Sequence, residues 1–345
     1  MTKTILITGG GGFIGKNLIH ALLASQSATT IVVLDIFRSS RQDEFVRFVQ
    51  HHGYSDRVLL YHYDITYEVT MDWLVTDLAD NGIHAVEEIY HLASLASPPM
   101  YKRYPLETLD VGYLGTKNVL ELARHYLAKV LFTSTSEVYG DALVSPQKES
   151  YYGNVNTVGE RSCYDESKRI AETLCYTYAG RYGLDVKIAR IFNTYGPHML
   201  LEDGRIITEV IRHLKEGTPL VVYGDGRQTR SCCFVEDTVF MLRKLMESDV
   251  SVPVNVGNDE ERTILETVDI VERVWLSLYP AHGGLQRVFH ERTQNDPLQR
   301  RPCLAFHKEA LGETVYTPFE EGIRRTIAYF MESHATTGTP PSESL

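Results

Sequence analysis

Cysteine is scarce in this sequence, and long apolar runs and blocks of basic residues are missing from it. The five cysteines are odd in number and irregular in spacing, which argues against a disulfide framework and against a zinc site. They predict buried thiols in a reducing compartment, and we expect a cytoplasmic protein with no bound metal. The apolar start at residues 5–7 is too short for a signal peptide or a membrane span, so we expect no membrane attachment.

Positive charge is also in deficit. The chain has 45 acidic and 34 basic residues, which gives a formal net charge of −11. Because no run of lysine or arginine stands out, the surface is poorly suited to nucleic acid or to an anionic membrane. An anionic small molecule can still bind where a few arginines converge.

A glycine-rich turn separates the first predicted strand, residues 4–8, from a helical pattern that begins at Lys16. Glycine lets the backbone turn tightly and lets a pyrophosphate approach the N–H groups at the helix N-terminus. A strand before the turn and a helix after it are the context that a dinucleotide site requires. The residues that we predict to hold the cofactor here follow the spacing G-x-x-G-x-x-G and are Gly9, Gly12, Phe13, Ile14 and Gly15.

Asp35 ends the second predicted strand, twenty residues after Gly15. A carboxylate at that place accepts hydrogen bonds from a ribose diol and repels a 2′-phosphate, so the sequence predicts NAD rather than NADP as the cofactor. Arg38 and Arg41 follow closely and are the residues that would favour NADP.

Two further strand ends are expected to face the cofactor. After the third predicted strand, residues 58–63, the Asp64 carboxylate either contacts the adenine or caps the next helix. After the fourth, residues 86–90, the chain is expected to pass close to the cofactor. The residues assigned to the cofactor from these two strand ends are Asp64, Ile65, Leu92 and Ala93.

Strands alternate with helical patterns through the first part of the chain, which predicts an α/β fold with a doubly wound parallel sheet and its ligand at the strand carboxyl ends. With 345 residues, 43% of them hydrophobic, the chain can also build a smaller lobe. Loops are expected to begin at Pro98 and to span residues 255–258 and 296–302. We assign residues 1–197 to an NAD-binding Rossmann domain, 198–332 to a smaller α/β substrate lobe and 333–345 to a disordered tail, and we expect 231–247 to pack back on the first domain.

Tyr164 and Lys168 are four residues apart and fall on one face of a predicted helix, residues 164–182. A phenol, whose ordinary pKa is near ~10, is a poor base at neutral pH. An ammonium group beside it favours the phenolate and makes the tyrosine a usable acid or base. Alone, such a pair is more often an incidental feature of a surface helix. The run from Thr133 to Glu137 favours a functional pair instead, because this run, the helix and the glycine turn can all meet over one cofactor.

With these three features the chain resembles the extended short-chain dehydrogenase/reductases that act on nucleotide sugars, and within them the UDP-glucuronate decarboxylases. The glycine turn and the Tyr-x-x-x-Lys pair specify only the superfamily, whereas TSTSEVYGD and the QTR after YGDGR narrow the resemblance to this group. The resemblance spans residues 5–330, and the stretches that carry it include TGGGGFIG, HLASLASPP, TSTSEVYGD, SCYDESKRIAET, ARIFNTYGP, YGDGRQTR and DPLQRRP.

The resemblance implies UDP-glucuronate as the substrate and a role for several side chains. Thr135 would hydrogen-bond the sugar 4-hydroxyl beside the tyrosine base, and Glu137 would act near the sugar 5-position. Arg230 would meet the sugar carboxylate or assist protonation, while Arg205 and Arg300 would lie near the diphosphate. The residues implied in substrate binding are Ser136, Asn193, Arg205, Arg230 and Arg300; those implied in catalysis are Thr135, Glu137, Tyr164, Lys168 and Arg230.

The implied reaction is oxidation at the 4-position, loss of carbon dioxide and reduction, with NAD recycled, to give UDP-xylose. A nucleotide-sugar 4-epimerase is one alternative, since it shares Tyr164 and Lys168 and does not need Glu137. A 4,6-dehydratase is a second, although it needs an acid where this chain has Ser136. A catalytically silent NAD-binding protein is a third, and the intact Thr135, Tyr164 and Lys168 set argues against it.

The chain departs from the pattern of this family at positions near the expected site. None of the departures removes a catalytic group; they are Ile36, Leu95, Gly112, His198, Cys232 and Cys233, together with the stretch 311–315.

The resemblance also implies a homodimer that pairs through helices 114–126 and 164–182.

Overall fold

The structure is a computed structural model that describes residues 3–25, 28–291 and 299–335. Helices and strands alternate through its first half. Two short turns of other helix types are a π-helix at Val111–Gly115 and a 3₁₀ helix at Ser136–Tyr139. The α-helices are α1 (Phe13–Ser25), α2 (Gln42–His51), α3 (Glu68–Asp80), α4 (Pro98–Arg103), α5 (Pro105–Asp110), α6 (Thr116–Tyr126), α7 (Ser162–Tyr182), α8 (Ile206–Glu216), α9 (Val235–Glu247), α10 (Ile264–Leu278), α11 (Ala305–Leu311) and α12 (Phe319–Ala335).

The strands, in chain order, are β1 (Lys3–Thr8), β2 (Thr29–Leu34), β3 (Val58–Tyr61), β4 (Glu88–His91), β5 (Lys129–Thr135), β6 (Val186–Ile191), β7 (Thr194–Tyr195), β8 (Leu220–Tyr223), β9 (Thr229–Ser231), β10 (Cys233–Phe234), β11 (Val254–Val256), β12 (Glu261–Thr263), β13 (Arg287–His290) and β14 (Gln299–Arg300). The largest sheet has the order β11-β6-β5-β4-β1-β2-β3, with every neighbouring pair parallel. The doubly wound parallel sheet predicted from the sequence is therefore confirmed.

The sheet is buried on both faces because helices cover it on both sides. Alternate residues of β1 show this: Ile5 and Ile7 belong to one hydrophobic cluster and Leu6 belongs to another. The first cluster includes side chains of α1, α2 and α9, and the second includes those of α3, α6 and α7. The carboxyl ends of the strands are left as the place where loops can form a site.

Helix α7 carries a buried stripe at the spacing of an α-helix. Ala171, Cys175 and Tyr178 are buried and lie in the cluster beneath the sheet, while the opposite side of the helix is exposed. Tyr164 and Lys168 continue the same stripe at the start of the helix. The stripe therefore carries both side chains toward the sheet, beside the end of β5.

The chain after residue 195 builds a further hydrophobic cluster of its own. Ile211 of α8, Trp275 of α10 and Ile323 of α12 are fully buried in it. Short strands accompany these helices: β9 lies between β12, antiparallel to it, and β14, parallel to it. Helix α9 instead contacts α1, β5 and β6 and contributes its apolar side chains to the cluster on the sheet.

Two predicted loops are wrong. Pro98 starts helix α4, and α5 begins at Pro105, because proline is tolerated in the first turn of a helix, where its missing N–H is not needed. The chain at Asn255 forms strand β11, which extends the main sheet beside β6. Three residues are too short a run for periodicity to distinguish a strand from a loop.

The expected tail and one expected loop lie partly outside the described residues. Helix α12 continues to Ala335, so the predicted tail does not begin at residue 333, and residues 336–345 lie outside the described part. Of the DPLQRRP stretch, residues 296–298 lie outside it as well, and the next two residues form β14.

Candidate active site

A cavity of about 1190 Å³ lies at the carboxyl ends of β1, β2, β4, β5 and β6. It is large enough for a dinucleotide together with a second ligand. Every residue that the sequence predicted for the cofactor, the chemistry and the substrate lines this cavity. The fold therefore brings together side chains that are as much as 291 positions apart, from Gly9 to Arg300.

The glycine turn leaves no room for side chains. Gly9 has a φ of +71°, and a Cβ there would lie 2.8 Å from the Ala93 backbone. A Cβ on Gly15 would lie 2.6 Å from the carbonyl oxygens of Gly9 and Gly10. Only glycine permits this packing, which leaves the backbone N–H groups at the start of α1 open to the cavity. The turn fits a pyrophosphate, as predicted for a dinucleotide cofactor.

Asp35 is fixed at the end of β2 by two backbone hydrogen bonds. Gly11 N donates to its Oδ2 at 2.9 Å, and Phe37 N donates to its Oδ1 at 2.7 Å. Burial raises the pKa of Asp35, and these two hydrogen bonds act in the opposite direction. Each carboxylate oxygen keeps a further lone pair, so the side chain can still accept a hydrogen bond from a ribose hydroxyl.

The neighbouring strand ends are held by their own hydrogen bonds. Asp64 Oδ1 accepts from the backbone N–H and the hydroxyl of Thr66, at 2.9 and 2.8 Å, while the residue that caps α3 is Tyr67. Asp64 therefore shapes a tight turn rather than capping the helix, and its contact with adenine stays a prediction. Thr8 Oγ1 accepts from Ala93 N at 3.2 Å, which holds the segment after β4 against the glycine turn.

Thr135, Tyr164 and Lys168 lie together at the end of β5. Burial raises the pKa of the Tyr164 phenol far above its ordinary range, and a hydrogen bond with Thr135 acts in the opposite direction. The Lys168 ammonium donates to the Thr133 carbonyl at 2.8 Å and lies 4.9 Å from the centroid of the Phe132 ring. Burial lowers the pKa of Lys168 to about 7.

The sequence predicted that Lys168 lowers the pKa of Tyr164. In the structure burial is the largest influence on the phenol and raises its pKa, Glu137 and Asp165 also raise it, and Arg205 lowers it; the influence of Lys168 stays a prediction. The tyrosine is consequently a neutral phenol, ready to donate a hydrogen bond before it can take a proton.

Glu137 is held by two arginines. Arg300 donates from Nη1 to Oε1 at 2.5 Å and from Nη2 to Oε2 at 2.8 Å, and Arg161 Nη2 lies 2.7 Å from Oε2. Burial raises the pKa of Glu137, but the positive charges of Arg300 and Arg161 outweigh burial and hold it below its ordinary value. The carboxylate is therefore ionised at neutral pH and cannot serve as a proton donor on its own.

Two of the arginines predicted from the sequence lie on strands, and the third lies in the loop before α8. Arg230 of β9 and Arg300 of β14 are direct neighbours across two paired strands, and Arg230 Nη1 donates to the Thr229 carbonyl at 2.8 Å. Arg205 precedes α8, with Nε 3.3 Å from Asp203 Oδ1 and Nη2 3.4 Å from the Ala96 carbonyl oxygen. The diphosphate role expected for Arg300 stays a prediction, while its guanidinium lies on Glu137.

Sequence reasoning missed three side chains of this cluster: Tyr101, Arg161 and Asp165. The Tyr101 ring stacks on the ring of Tyr164, with centroids 5.2 Å apart and planes 12° from parallel. Arg161 is the residue before α7, one turn from the tyrosine, and this proximity in sequence was an available signal. Tyr101 follows the two prolines that were expected to begin a loop, so nothing in the sequence indicated a fixed position for its ring.

Asp165 has one carboxylate oxygen without a partner in the described part of the chain. Its Oδ1 is buried and has no hydrogen-bond partner among the residues that the structure describes. Burial raises its pKa and the charge of Glu137 raises it further, to about 7, while the charges of Arg161 and Arg300 lower it.

Within the described ranges, no group of histidine, cysteine or acidic side chains is arranged to hold a metal ion. No described helix is both long and apolar enough to cross a bilayer.

The sequence is similar to a known family over most of its length. The model of the NAD dependent epimerase/dehydratase family matches residues 5–257. UDP-glucuronic acid decarboxylase 1 of Danio rerio is 42% identical over 328 residues, which cover 95% of this chain and 72% of that protein. UDP-glucuronic acid decarboxylase 6 of Arabidopsis thaliana is 41% identical over 319 residues, which cover 92% of this chain and 86% of that protein.

Solved structures share the fold. The UDP-glucuronic acid 4-epimerase from Bacillus cereus, in complex with UDP-glucuronic acid and NAD, matches with a TM-score of 0.81 and 22% sequence identity. The match covers 96% of this chain and 99% of that one. At this level of identity the similarity shows that the two chains have the same fold.

Proposed function

This chain belongs to the NAD dependent epimerase/dehydratase family, and we propose that it converts UDP-glucuronate to UDP-xylose and carbon dioxide. The observation that carries the proposal is the Glu137 carboxylate, held by Arg300 and Arg161 in the same cavity as Thr135 and Tyr164. Relatives that are 42% and 41% identical and are named for this activity support the choice of substrate.

NAD is the cofactor, and the glycine turn and Asp35 are built to hold it. The turn would present backbone N–H groups to the pyrophosphate, and Asp35 would accept from the adenosine ribose. Lys168 and Tyr164 would orient the ribose at the nicotinamide end. When bound, NAD supplies the acceptor, and later the donor, of a hydride at the 4-position of the sugar.

Tyr164 Oη takes the proton of the sugar 4-hydroxyl as a phenolate, with Thr135 as its hydrogen-bond partner, after the Lys168 amine in the same cavity has accepted the phenol proton; burial lowers the pKa of Lys168 to about 7. Because burial raises the pKa of this phenol, its proton is held tightly at rest, and the hydrogen bond from Thr135 makes the phenolate easier to form. The same pair then donates to the 4-keto oxygen. As carbon dioxide leaves, the bonding electrons pass onto that oxygen, and the two hydroxyl donors stabilise the negative charge that develops there.

Glu137 then orients the protonation at the sugar 5-position. Its pKa lies below the ordinary value, so it holds no proton to give, and the proton of the new C–H bond comes from solvent, through a water molecule that its carboxylate positions. Arg300 and Arg161 fix both carboxylate oxygens, so the geometry at this position is rigid. We place Arg230, Arg205 and Asn193 around the nucleotide part of the substrate and the sugar, on the same cavity wall.

Ser136 distinguishes the decarboxylase from a 4,6-dehydratase. Expelling the 6-hydroxyl as water needs an acid, and the dehydratases that resemble this chain have an aspartic acid next to the glutamate. A serine hydroxyl is too weak an acid at neutral pH to replace it. Decarboxylation needs no such acid, because the leaving group departs as carbon dioxide.

The test is to incubate the NAD-loaded protein separately with UDP-glucuronate, UDP-glucose and dTDP-glucose and to weigh the products. We expect UDP-glucuronate to lose carbon dioxide and both glucose nucleotides to stay unchanged. Loss of water from a glucose nucleotide, with UDP-glucuronate untouched, would show that the site is a dehydratase.

We propose that two copies of the chain pair through α6 and α7, together with α5 and the π-helix that precede α6. Leu109, Tyr113, Ile170 and Tyr176 on these elements are large apolar side chains that stay exposed in the single chain. Covering them would remove apolar area from water. Light scattering of the eluting protein would measure the mass, and a monomer at micromolar concentration would overturn the pairing.

Two further assignments complete the proposal. Residues 1–197, with 231–247, form the NAD-binding part and residues 198–332 the nucleotide-sugar part, supported by the separate hydrophobic clusters. All five cysteines are unpaired, which supports work in a reducing compartment such as the cytoplasm.

A further inference from the structure

Tyr101 of α4 is packed against the proposed base without being part of the predicted chemistry. Its side chain is 1% exposed, and its ring lies nearly parallel to that of Tyr164. The guanidinium of Arg161 lies 5.9 Å from the centroid of the Tyr101 ring. The ring is therefore held between α7 and the residue that precedes it, in one orientation.

The hydroxyl of this fixed ring has no hydrogen-bond partner among the residues that the structure describes. Nearly all buried hydroxyl groups in proteins are paired, and one left unpaired is costly unless a ligand or water completes it. Tyr101 lines the cavity that contains Thr135, Tyr164 and Lys168. An unpaired donor in that position indicates a group of the substrate as its partner.

The charges around Tyr101 identify the side of the sugar that it faces. Its phenol is influenced by Arg161, Glu137, Asp165 and Arg300, which form the cluster placed at the sugar 5-position. Burial raises the pKa of Tyr101 to about 12, so the phenol is neutral and acts as a donor. The substituent at the 5-position of the proposed substrate is a carboxylate, which only accepts hydrogen bonds.

We propose that Tyr101 is a specificity-determining residue whose hydroxyl donates a hydrogen bond to the carboxylate at the sugar 5-position. This inference rests on the proposed function and names the side chain that recognises the group that is lost. Arg161 and Arg300 are already paired with Glu137, so the Tyr101 hydroxyl adds a neutral donor beside the contact that the resemblance implies for Arg230. A weaker ground-state contact of this kind orients the carboxylate without holding it too strongly to leave.

The test compares two ligands on the full-length, NAD-loaded protein. Tyr101→Phe keeps the stacked ring and removes only the hydroxyl. We expect it to bind UDP-glucuronate roughly 10-fold more weakly than the wild type, the loss of one hydrogen bond to a charged group, and to bind UDP-glucose within about 2-fold of the wild type. Tyr104→Phe, a change of the same kind three residues along, should leave both affinities unchanged.

Turnover measurements on the same samples separate this inference from the proposed function. We expect Tyr101→Phe to raise KM for UDP-glucuronate more than it lowers kcat, because the hydrogen bond is made in the ground state. Unchanged binding of UDP-glucuronate, or an equal loss for both ligands, overturns the role of Tyr101. If the wild type forms no UDP-xylose, the proposed function fails, whereas the ratio of the two affinities still decides whether Tyr101 recognises a carboxylate.

Discussion

Two acidic and two basic side chains form one group beside the tyrosine base: Glu137, Asp165 and Arg300 are buried, and Arg161 is 27% exposed. Arg300 binds both oxygens of Glu137 and Arg161 binds one of them, which leaves Asp165 with an unpaired oxygen within the described residues. Because both guanidinium groups contact Glu137, the charge of Asp165 is compensated less well. The group therefore has one firmly ionised carboxylate and one that holds its proton near neutral pH.

Replacing Tyr164 by phenylalanine should leave the fold and NAD binding intact and remove nearly all turnover. The phenol is the group placed to take the 4-hydroxyl proton, and loss of a general acid or base reduces rates by about 10²–10⁴-fold. Steady-state rates with UDP-glucuronate, together with NAD titration of the same variant, measure both effects. Near-normal turnover would mean that another group takes this proton.

Asp165→Asn should make stability less dependent on pH. The folded-state pKa of about 7 is above the ordinary value of 3.8, so the folded chain holds this proton where the unfolded chain has lost it. Wild-type stability therefore falls as pH rises through that window, and the variant escapes this loss. Urea unfolding at about pH 5 and about pH 8 measures the free energy of unfolding of both proteins. Relative to the wild type, the variant should be more stable at the higher pH than at the lower one.

The control for this comparison is Glu166→Gln, which removes one charge from the next, partly exposed position of the same helix. A difference between Asp165→Asn and wild type that stays constant with pH would show that Asp165 is ionised throughout.

NAD should bind more tightly than NADP. Asp35 repels a 2′-phosphate, and both nearby arginines are engaged: Arg41 Nε lies 3.1 Å from Asp43 Oδ1, and Arg38 lies 3.6 Å from Glu107 and over the Tyr104 ring. Calorimetric titration of the apo protein with each cofactor tests this. Equal affinities would mean that Arg38 or Arg41 leaves its partner to bind the phosphate.

Helices and strands whose apolar residues recur at regular spacing were predictable from the sequence. Short elements, and helices that begin with proline, were not. The glycine turn, α7 and strands such as β1 lie close to where the sequence predicted them, because burial on both faces or on one stripe dictates their pattern. Helices α4 and α5 each begin with proline and have only six residues, so their pattern is too short to recognise. Tyr101 was missed for that reason, since its position depends on α4.

Gly15→Ala should destabilise the protein and weaken NAD binding, because the new Cβ would lie 2.6 Å from two backbone oxygens. Gly180→Ala in α7 is the matched control, as a Cβ there meets nothing within 4 Å. That change should stabilise the helix by about 0.5–1 kcal/mol. Thermal unfolding and NAD titration of both variants check the contrast. Equal behaviour of the two would show that the turn adapts to a side chain.

At the scale of the whole molecule, the site lies where separate hydrophobic clusters meet. Thr135 and Tyr164 come from the sheet and its helix, whereas Arg205, Arg230 and Arg300 come from the chain after residue 195. Arg205 bridges the two parts through the Ala96 carbonyl. The sequence indicated which side chains belong to the site, but only the assembled molecule pairs Arg300 with Glu137, 163 positions away.

Mass spectrometry of the product formed from UDP-glucuronate in deuterium oxide tests the central claim most directly. Decarboxylation followed by protonation at the 5-position predicts UDP-xylose with one deuterium on carbon, since the hydrogen at the 4-position is returned and not exchanged. A product with the mass of the substrate would indicate epimerisation, and a product that has lost water would indicate dehydration. Either product, formed in place of deuterated UDP-xylose, would contradict the assignment.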